Sequence, residues 1–289
     1  MKIQTYSVLA GSTECNAQCP YCVSKMTPKE GLEKKLSEPN WRNFDIGCNY
    51  AKESGVSTVL ITGKGEPTLF PKQITKYLKR LNNYKFPFIE LQTNGIELAT
   101  EKYNKYLKKW YKQGMTTIAL SVVHYESEKN KEIFQPKAQN FCDLSNLVQK
   151  LHNIGFSVRL TCMMVKGYID DMDGIDKLVD FAKENKVEQL SVRSIDRPLN
   201  TRNKAVANWV DNHKIPKERI DSIREYLDKN GTCLMELVHG AIVYDYKGLG
   251  LCLTNCLTID SKDETIRQLI FFPDGHLRYD WQHEGAILI

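Results

Sequence analysis

The sequence lacks the long apolar runs of a membrane protein and the leader of an exported one. Its longest apolar runs, such as Leu269–Phe272 and Thr161–Val165, are far shorter than the ~20 residues of a membrane-spanning helix. The first strand-like run begins almost at once, without the apolar core of a signal peptide. We therefore expect a cytoplasmic protein with no membrane partner.

Internal repeats, low-complexity segments and a charge of one sign are also absent. The 289 residues carry 40 Lys and Arg against 35 Asp and Glu, a net charge of +5. This balance permits an anionic ligand but does not require nucleic acid. With 42% hydrophobic and 26% charged residues, the chain has enough apolar material for a packed core, which excludes a mostly disordered protein.

Cysteine is plentiful, with nine residues. An odd number of cysteines in a chain without a visible leader argues against a disulfide framework. We therefore expect reduced thiols that bind metal or take part in chemistry.

Six strand-like runs alternate with segments of helical spacing up to about residue 196. This alternation predicts an α/β fold in which parallel strands and crossover helices form a partial (β/α)6 TIM-like barrel. Beyond it, hairpin-like strands predict a C-terminal extension, residues 197–289, packed on the core of residues 1–196. The six predicted strands are Ile3–Ala10, Val56–Thr62, Phe88–Thr93, Thr117–Val123, Ser157–Val165 and Gln189–Ile195.

Cys15, Cys19 and Cys22 form a CxxxCxxC motif shortly after the first predicted strand. Three thiolates on one loop can each bind one iron of a [4Fe–4S] cluster and leave the fourth iron open to a ligand. The alternatives are a zinc site without its fourth ligand and three buried cysteines. Zinc loops more often use CxxC pairs, and the polar residues Asn16 and Gln18 disfavour burial, so the pattern indicates the cluster.

A second motif, TGKGEPTL, follows the second predicted strand. Together with the CxxxCxxC motif and its aromatic Tyr21, it resembles the radical S-adenosylmethionine (radical SAM) superfamily, over about residues 3–195. The superfamily usually has GGEP. This chain has Lys64, Gly65, Glu66 and Pro67 instead, and Lys64 separates Gly63 from Gly65.

The resemblance implies an enzyme whose [4Fe–4S] cluster binds S-adenosylmethionine (SAM) at its open iron. An electron from a donor such as flavodoxin or ferredoxin would cleave SAM to methionine and a 5′-deoxyadenosyl radical. That radical would take a hydrogen atom from a small-molecule, nucleotide or peptide substrate. The alternative is an iron–sulfur electron-transfer or metal-binding module without SAM cleavage. The expected oligomeric state is a monomer.

The resemblance also implies cofactor contacts. Tyr21 would lie beside the adenine, and Gly63, Lys64, Gly65, Glu66 and Pro67 would hold the methionine end, where glycine lets the backbone approach a ligand closely. Asn94 and Ser121, near the ends of the third and fourth strands, would contact the ribose or the methionine carboxylate. Simple helix capping is the alternative for such residues.

Three further polar residues are candidates at the same end of the barrel. Arg193 on the sixth strand is a candidate to pair with a carboxylate, because guanidinium binds carboxylate in a bidentate manner; Arg159 on the fifth is its rival. His124 after the fourth strand could contact substrate or transfer a proton, or could be an ordinary hydrogen-bonded loop residue.

The remaining cysteines divide into two groups. Cys233, Cys252 and Cys256 could bind an auxiliary iron–sulfur cluster, or Cys252 or Cys256 could donate a hydrogen atom to the product radical, or all three could be structural thiols. The other group, expected to be core or incidental, is Cys48, Cys142 and Cys162.

Overall fold

A computed structural model describes residues 2–32, 38–137, 141–237, 240–255 and 265–289. Within these ranges the chain forms one sheet of eleven strands with helices packed on one face. The sheet is not closed, which confirms the predicted partial TIM-like barrel. No helix in these ranges is long and apolar enough to span a membrane.

The centre of the sheet is the predicted run of six parallel strands, each hydrogen-bonded to the next along the chain. Helices connect them, as expected for right-handed crossovers. The strands are β1 (Lys2–Leu9), β2 (Thr58–Thr62), β3 (Phe88–Thr93), β4 (Thr117–Val122), β5 (Ser157–Met164) and β6 (Gln189–Ser194). The helices are α1 (Trp41–Glu53), α2 (Pro71–Leu81), α3 (Asn104–Lys112), α4 (Ser127–Phe134), α5 (Leu144–Ile154), α6 (Met172–Glu184), α7 (Lys204–His213) and α8 (Lys217–Asn230).

Strands from the C-terminal part lengthen the sheet at both edges. The last long strand pairs in parallel with β1, and another pairs in parallel with β6. An open sheet leaves unpaired backbone groups at its edges, and these strands satisfy them, so part of the expected extension belongs to the sheet itself. The strands are β7 (Thr232–Glu236), β8 (Ile242–Tyr246), β9 (Leu249–Asn255), β10 (Thr265–Phe271) and β11 (Leu277–Arg278).

The full strand order is β11-β10-β1-β2-β3-β4-β5-β6-β9-β8-β7. Eight neighbouring strands, from β10 to β9, are parallel, and the outer pairs are antiparallel. The division of the chain at residue 196 stays a proposal. Three α-helices or strands of the described ranges were not predicted from the sequence: β9, whose run contains glycine, α4, and α7, which lies in a stretch interpreted only as polar.

Alternate strand residues face the helices and form the main core, for example Tyr6, Val59 and Leu91. The intervening residues face the concave side of the sheet, because successive side chains of a strand point to opposite faces. Cys48, Cys142 and Cys162 are buried, as expected of core thiols.

The concave side has two halves of opposite character. The filled half, on β10, β1 and β2, is apolar and buried: Leu9, Leu32, Ile270 and Phe272 form one cluster, with Leu60 nearby.

The open half lies on β4, β5, β6 and β9. Register places small polar residues side by side there, and all of them are half-buried: Ser121, Thr161, Ser191 and Cys252.

Candidate cofactor site

The three motif cysteines lie on the loop that follows β1, and all three are half-buried free thiols. Burial raises the pKa of Cys15 to about 11 and that of Cys19 to about 12. The neighbouring thiol of Cys22 contributes to both increases in pKa, so the three side chains lie within electrostatic reach of one another. Metal binding would therefore displace protons from these thiols.

This donor set fits a cluster. Three thiols on one loop, close enough to influence one another, match the three ligands that a cubane with one open iron requires. In the described ranges, no three His, Cys, Asp or Glu side chains are arranged to hold a metal ion. A cluster has a different requirement, because each thiolate binds a different iron.

The cysteine loop is held by contacts with α4. The Gln18 N–H donates to the Phe134 carbonyl at 2.8 Å, and Lys25 Nζ donates to the Cys19 carbonyl at 2.9 Å. Ala17 and Tyr21 pack in an apolar cluster that includes Phe134. Helix α4 was not among the predicted helices, yet it fixes the loop that carries the ligands.

Gly65 brings the second motif into backbone contact with the cysteine loop. A Cβ at this position would lie 1.9 Å from the carbonyl oxygen of Glu14, so only glycine fits. The next residue, Glu66, donates its N–H to the same carbonyl at 2.9 Å. Gly65 was expected to admit a ligand, and the structure shows that it also admits the backbone of the cysteine loop.

The buried carboxylate of Glu66 joins the ends of β2 and β3. It accepts hydrogen bonds from Thr68 N (2.9 Å), Thr68 Oγ1 (2.6 Å), Thr93 Oγ1 (2.6 Å) and Asn94 N (3.0 Å). Burial raises the pKa of Glu66, and these hydrogen bonds oppose the increase only in part. Pro67, also buried, begins a short 3-10 turn.

Asn94 extends the same network to the cysteine loop. Its Nδ2 donates to Asn16 Oδ1 at 2.8 Å, while its Oδ1 accepts from the Ile96 N–H at 3.1 Å. The cysteine loop, the glycine–glutamate–proline motif and the end of β3 are thus one hydrogen-bonded unit. The predicted contact of Asn94 with cofactor stays a prediction.

Tyr21, on the cysteine loop, lies close to α7 and to Arg193 of β6. The Tyr21 ring centroid is 6.3 Å from that of Trp209 on α7. Burial raises the pKa of Tyr21, and the guanidinium of Arg193 is near enough to oppose that increase. Arg193 Nε donates to Met163 Sδ at 3.0 Å. No motif pointed to Trp209, because α7 itself was missed.

The rival arginine is engaged elsewhere. Arg159 Nη1 lies 3.0 Å from Oε2 of the buried Glu90, and its Nε donates to Gln189 Oε1 at 2.9 Å. These contacts occupy part of the guanidinium that a carboxylate ligand would need. Arg193 thus remains the better candidate, and Ser121 lies in the open half on the same side of the sheet.

His124 follows β4 in a loop organised by Asn130. Asn130 Oδ1 accepts from Val123 N and His124 N at 2.7 and 3.2 Å. His124 Nδ1 accepts from Glu126 N at 3.1 Å, and burial lowers the pKa of the ring. The contacts match those of an ordinary loop histidine, and the catalytic role stays a prediction.

The structure does not bring Cys233 and Cys252 together. Cys233, on the exposed edge strand β7, pairs with Tyr244, which in turn pairs with Leu251. Cys252 is the next residue along β9 and therefore points to the opposite face of the sheet. Cys256 lies outside the described residues.

The protein-family model described as "Radical SAM superfamily" matches residues 11–182 of this chain, which span both motifs and the strands that carry them. The chain belongs to the radical SAM superfamily. Members use a [4Fe–4S] cluster and SAM, so this protein is an enzyme of that class.

Curated relatives are similar at low identity. One is the 7,8-dihydro-6-hydroxymethylpterin dimethyltransferase of Methanocaldococcus jannaschii, 27% identical over 177 residues, which cover 60% of this chain and 32% of that protein. Another is the probable dual-specificity RNA methyltransferase RlmN of Streptococcus mutans, 24% identical over 243 residues, or 78% of this chain and 62% of the relative. The chain thus spans between a third and two thirds of these relatives.

Solved structures support the fold. The chain is similar to Streptococcus suis SuiB bound to S-adenosylmethionine, with a TM-score of 0.59 at 18% identity, covering 96% of this chain and 60% of SuiB. At this identity the likeness concerns the fold alone. The open sheet with added strands at its edges is therefore compatible with a radical SAM architecture.

Proposed function

We propose that this radical SAM enzyme reductively cleaves SAM at a cluster bound by Cys15, Cys19 and Cys22, and that it acts on a polar substrate. The observation that carries the proposal is the hydrogen-bonded unit at the cofactor site. The cysteine loop and the glycine–glutamate–proline motif meet at Gly65 and Glu14, with Glu66 bridging to β3. An electron carrier would need the cysteines but not this second motif.

Bound cluster and SAM would supply a 5′-deoxyadenosyl radical that abstracts a hydrogen atom from substrate. The chain's own residues supply position. The backbone around Gly63 and Gly65 would receive the methionine end, Tyr21 would contact the adenine, and Arg193 would pair with a carboxylate. Helices α4 and α7 contact the cysteine loop, and substrate would enter from the concave side.

The open half supports a polar substrate. Ser121, Thr161, Ser191 and Cys252 have accessible side chains and no side-chain hydrogen bond in the described part of the chain. Arg193 lies on β6, two residues beyond Ser191 and closer to the cofactor site. Hydroxyl groups beside a guanidinium suit a ligand with hydrogen-bonding groups and an anionic group. A small molecule or a nucleotide fits this description best.

The test is anaerobic reconstitution with iron and sulfide, followed by reduction and addition of SAM. We expect 5′-deoxyadenosine, which Cys22→Ala abolishes. The matched control is Cys142→Ala, which removes a buried thiol outside the CxxxCxxC motif and should retain the product. Equal product from Cys22→Ala and the unmodified protein would refute SAM cleavage at this cluster.

The same preparation tests the second cysteine group. Because Cys233 and Cys252 face opposite sides of the sheet, we expect about four irons per chain, one cluster, rather than about eight. Cys252 remains a candidate hydrogen-atom donor, since it faces the concave side and burial raises its pKa, which keeps the thiol protonated. Cys252→Ala should then change the product while 5′-deoxyadenosine still forms.

A further inference from the structure

Lys64 stands where the superfamily motif usually has glycine, and its side chain is almost completely buried. The ammonium has three donors and meets three acceptors: Thr27 Oγ1 at 2.6 Å, the Pro28 carbonyl at 3.0 Å and the Trp281 carbonyl at 3.5 Å. It also lies 5.6 Å from the centre of the Trp281 ring. The side chain thus joins two segments that are distant in the sequence.

One of these segments leads directly to the cluster ligands. Thr27 accepts from Lys64 and donates its own hydroxyl to the Val23 carbonyl at 3.2 Å. Val23 is the residue after Cys22. Two consecutive hydrogen bonds therefore connect the Lys64 ammonium to the end of the cysteine motif.

The other segment is the C-terminal segment, residues 272–284. It touches the stretch after the cysteine motif at several points. Gly31 lies so close to Asp274 that a Cβ would come within 2.3 Å of the carboxylate, and Arg278 Nη2 donates to the Glu30 carbonyl at 3.4 Å. Arg202 forms ion pairs with both Glu30 and Glu284.

These contacts differ in strength. The Arg202 ion pairs are about half exposed, and solvent-exposed ion pairs typically contribute little to stability. The Lys64 ammonium is excluded from water, and a hydrogen bond to a buried charge is both stronger and costlier to lose. Lys64 is therefore a buried polar link between the C-terminal segment and the cofactor site, beside the contact of the buried Arg278 with the Glu30 carbonyl.

We propose that Lys64 is a positioning residue that couples the C-terminal segment to the cysteine motif, so that docking of residues 272–284 fixes the chain that follows Cys22. The inference concerns the cofactor site of the proposed function. Its main test needs neither cluster nor SAM, so its failure and the failure of SAM cleavage are distinguishable.

The test is amide hydrogen exchange on the full metal-free chain with Lys64→Met, which keeps the apolar stem and removes the ammonium. We expect exchange about tenfold faster in residues 23–32 and also in residues 272–284, the size expected when a buried charged hydrogen bond is lost. The matched control is Lys150→Met, because Lys150 Nζ also donates to three backbone carbonyls, at 2.8, 3.3 and 2.9 Å, but in the 98–100 turn. It should leave both segments unchanged.

The coupling is wrong if Lys64→Met changes exchange only around residues 60–70, or in one of the two segments without the other. Thr27→Val is the milder variant if Lys64→Met fails to fold, and it should speed exchange in the same two segments by a smaller factor. The double variant should speed exchange by less than the two single effects combined, because both changes break the Lys64–Thr27 hydrogen bond. Additive effects would contradict the link. Lys64→Arg should restore protection in part.

Discussion

The two halves of the concave side use the same sheet in opposite ways. The filled half, on β10, β1 and β2, is packed with Leu9, Leu60, Ile270 and Phe272, each at most 8% exposed. The open half, on β4, β5, β6 and β9, presents small hydroxyl and thiol groups that solvent can reach. Ala119 and Gly250 keep it uncrowded. The sheet therefore has packed apolar residues on one side and solvent-accessible polar residues on the other.

This contrast explains where the cysteine loop sits. The cysteine loop follows β1, the central strand of the filled half, and therefore begins on the packed side of the sheet. Its other contacts, through Tyr21 and Arg193, lie toward the open half. A cofactor held by the loop would be anchored on the stable side and would face the side with room for substrate.

The largest effect should come from emptying the filled half. Phe272 is 3% exposed and packs with Leu9, Leu32 and Ile270. Phe272→Ala should lower the free energy of unfolding by about 3–5 kcal/mol, because it removes a buried ring and leaves a cavity. Urea denaturation measures this, with the exposed Phe88→Ala as the control. A loss as small as that of the control would mean that this half is not a packed core.

A smaller loss is expected at the seam between the halves, where Glu66 joins β2 to β3. In Glu66→Gln an amide replaces the carboxylate. Either its N–H₂ group faces donors that in the unmodified protein bind a carboxylate oxygen, or the hydrogen-bond network rearranges. Stability should fall by about 1–3 kcal/mol, the cost of a buried donor left without acceptor. Glu132→Gln, at an exposed carboxylate, is the control. Equal stabilities in thermal unfolding would show that the four hydrogen bonds of Glu66 are dispensable.

Ser7 is the exception within the filled half, and its replacement should stabilise the protein. Its hydroxyl is fully buried between Leu60 and Ile270 and has no hydrogen-bond partner among the described residues. Ser7→Ala should raise the free energy of unfolding by about 1 kcal/mol, because the unpaired hydroxyl costs desolvation energy. Ser127→Ala should have the opposite sign, since Ser127 Oγ accepts from Leu144 N at 3.0 Å. Destabilisation by Ser7→Ala would reveal a partner for this hydroxyl.

The smallest stability effect is expected in the open half. Thr161→Val removes an accessible hydroxyl and keeps the side-chain shape, so stability should change by less than about 0.5 kcal/mol. Turnover of substrate, once identified, should fall, because the hydroxyl is free to bind ligand. Thr116→Val provides the comparison, since Thr116 Oγ1 makes hydrogen bonds at both Ile89 N and O, 3.1 Å each. If Thr161→Val destabilised as much as Thr116→Val, the open half would be structural.

Local patterns sufficed for the central sheet and for the cysteine motif. The six parallel strands follow from short β-rich runs between helices, and Cys15, Cys19 and Cys22 follow from spacing. The contacts of Lys64 with Trp281 could not be predicted, because they depend on how a distant segment folds back. The same is true of β9 and β10, whose partners β6 and β1 are fixed by sheet edges rather than by neighbouring residues.

Glu66 and Gly65 were predicted only in part. The motif indicated that both residues matter, but it suggested only one reason, contact with a ligand. Packing supplies a second reason, the approach of the Glu14 carbonyl to Gly65, which no one-dimensional pattern reveals. For α7, a polar composition concealed a helix whose Trp209 reaches Tyr21.

The pairing of β1 with β10 has a consequence for how the protein is made. Register joins Ser7 to Ile270, so the strand that leads into the cysteine loop is synthesised long before its outer neighbour. Strands so far apart in the sequence pair late, because the entropic cost of closing the long segment between them comes before the contacts that offset it. The scaffold of the cofactor loop is therefore complete only after β10 has been synthesised and has paired with β1.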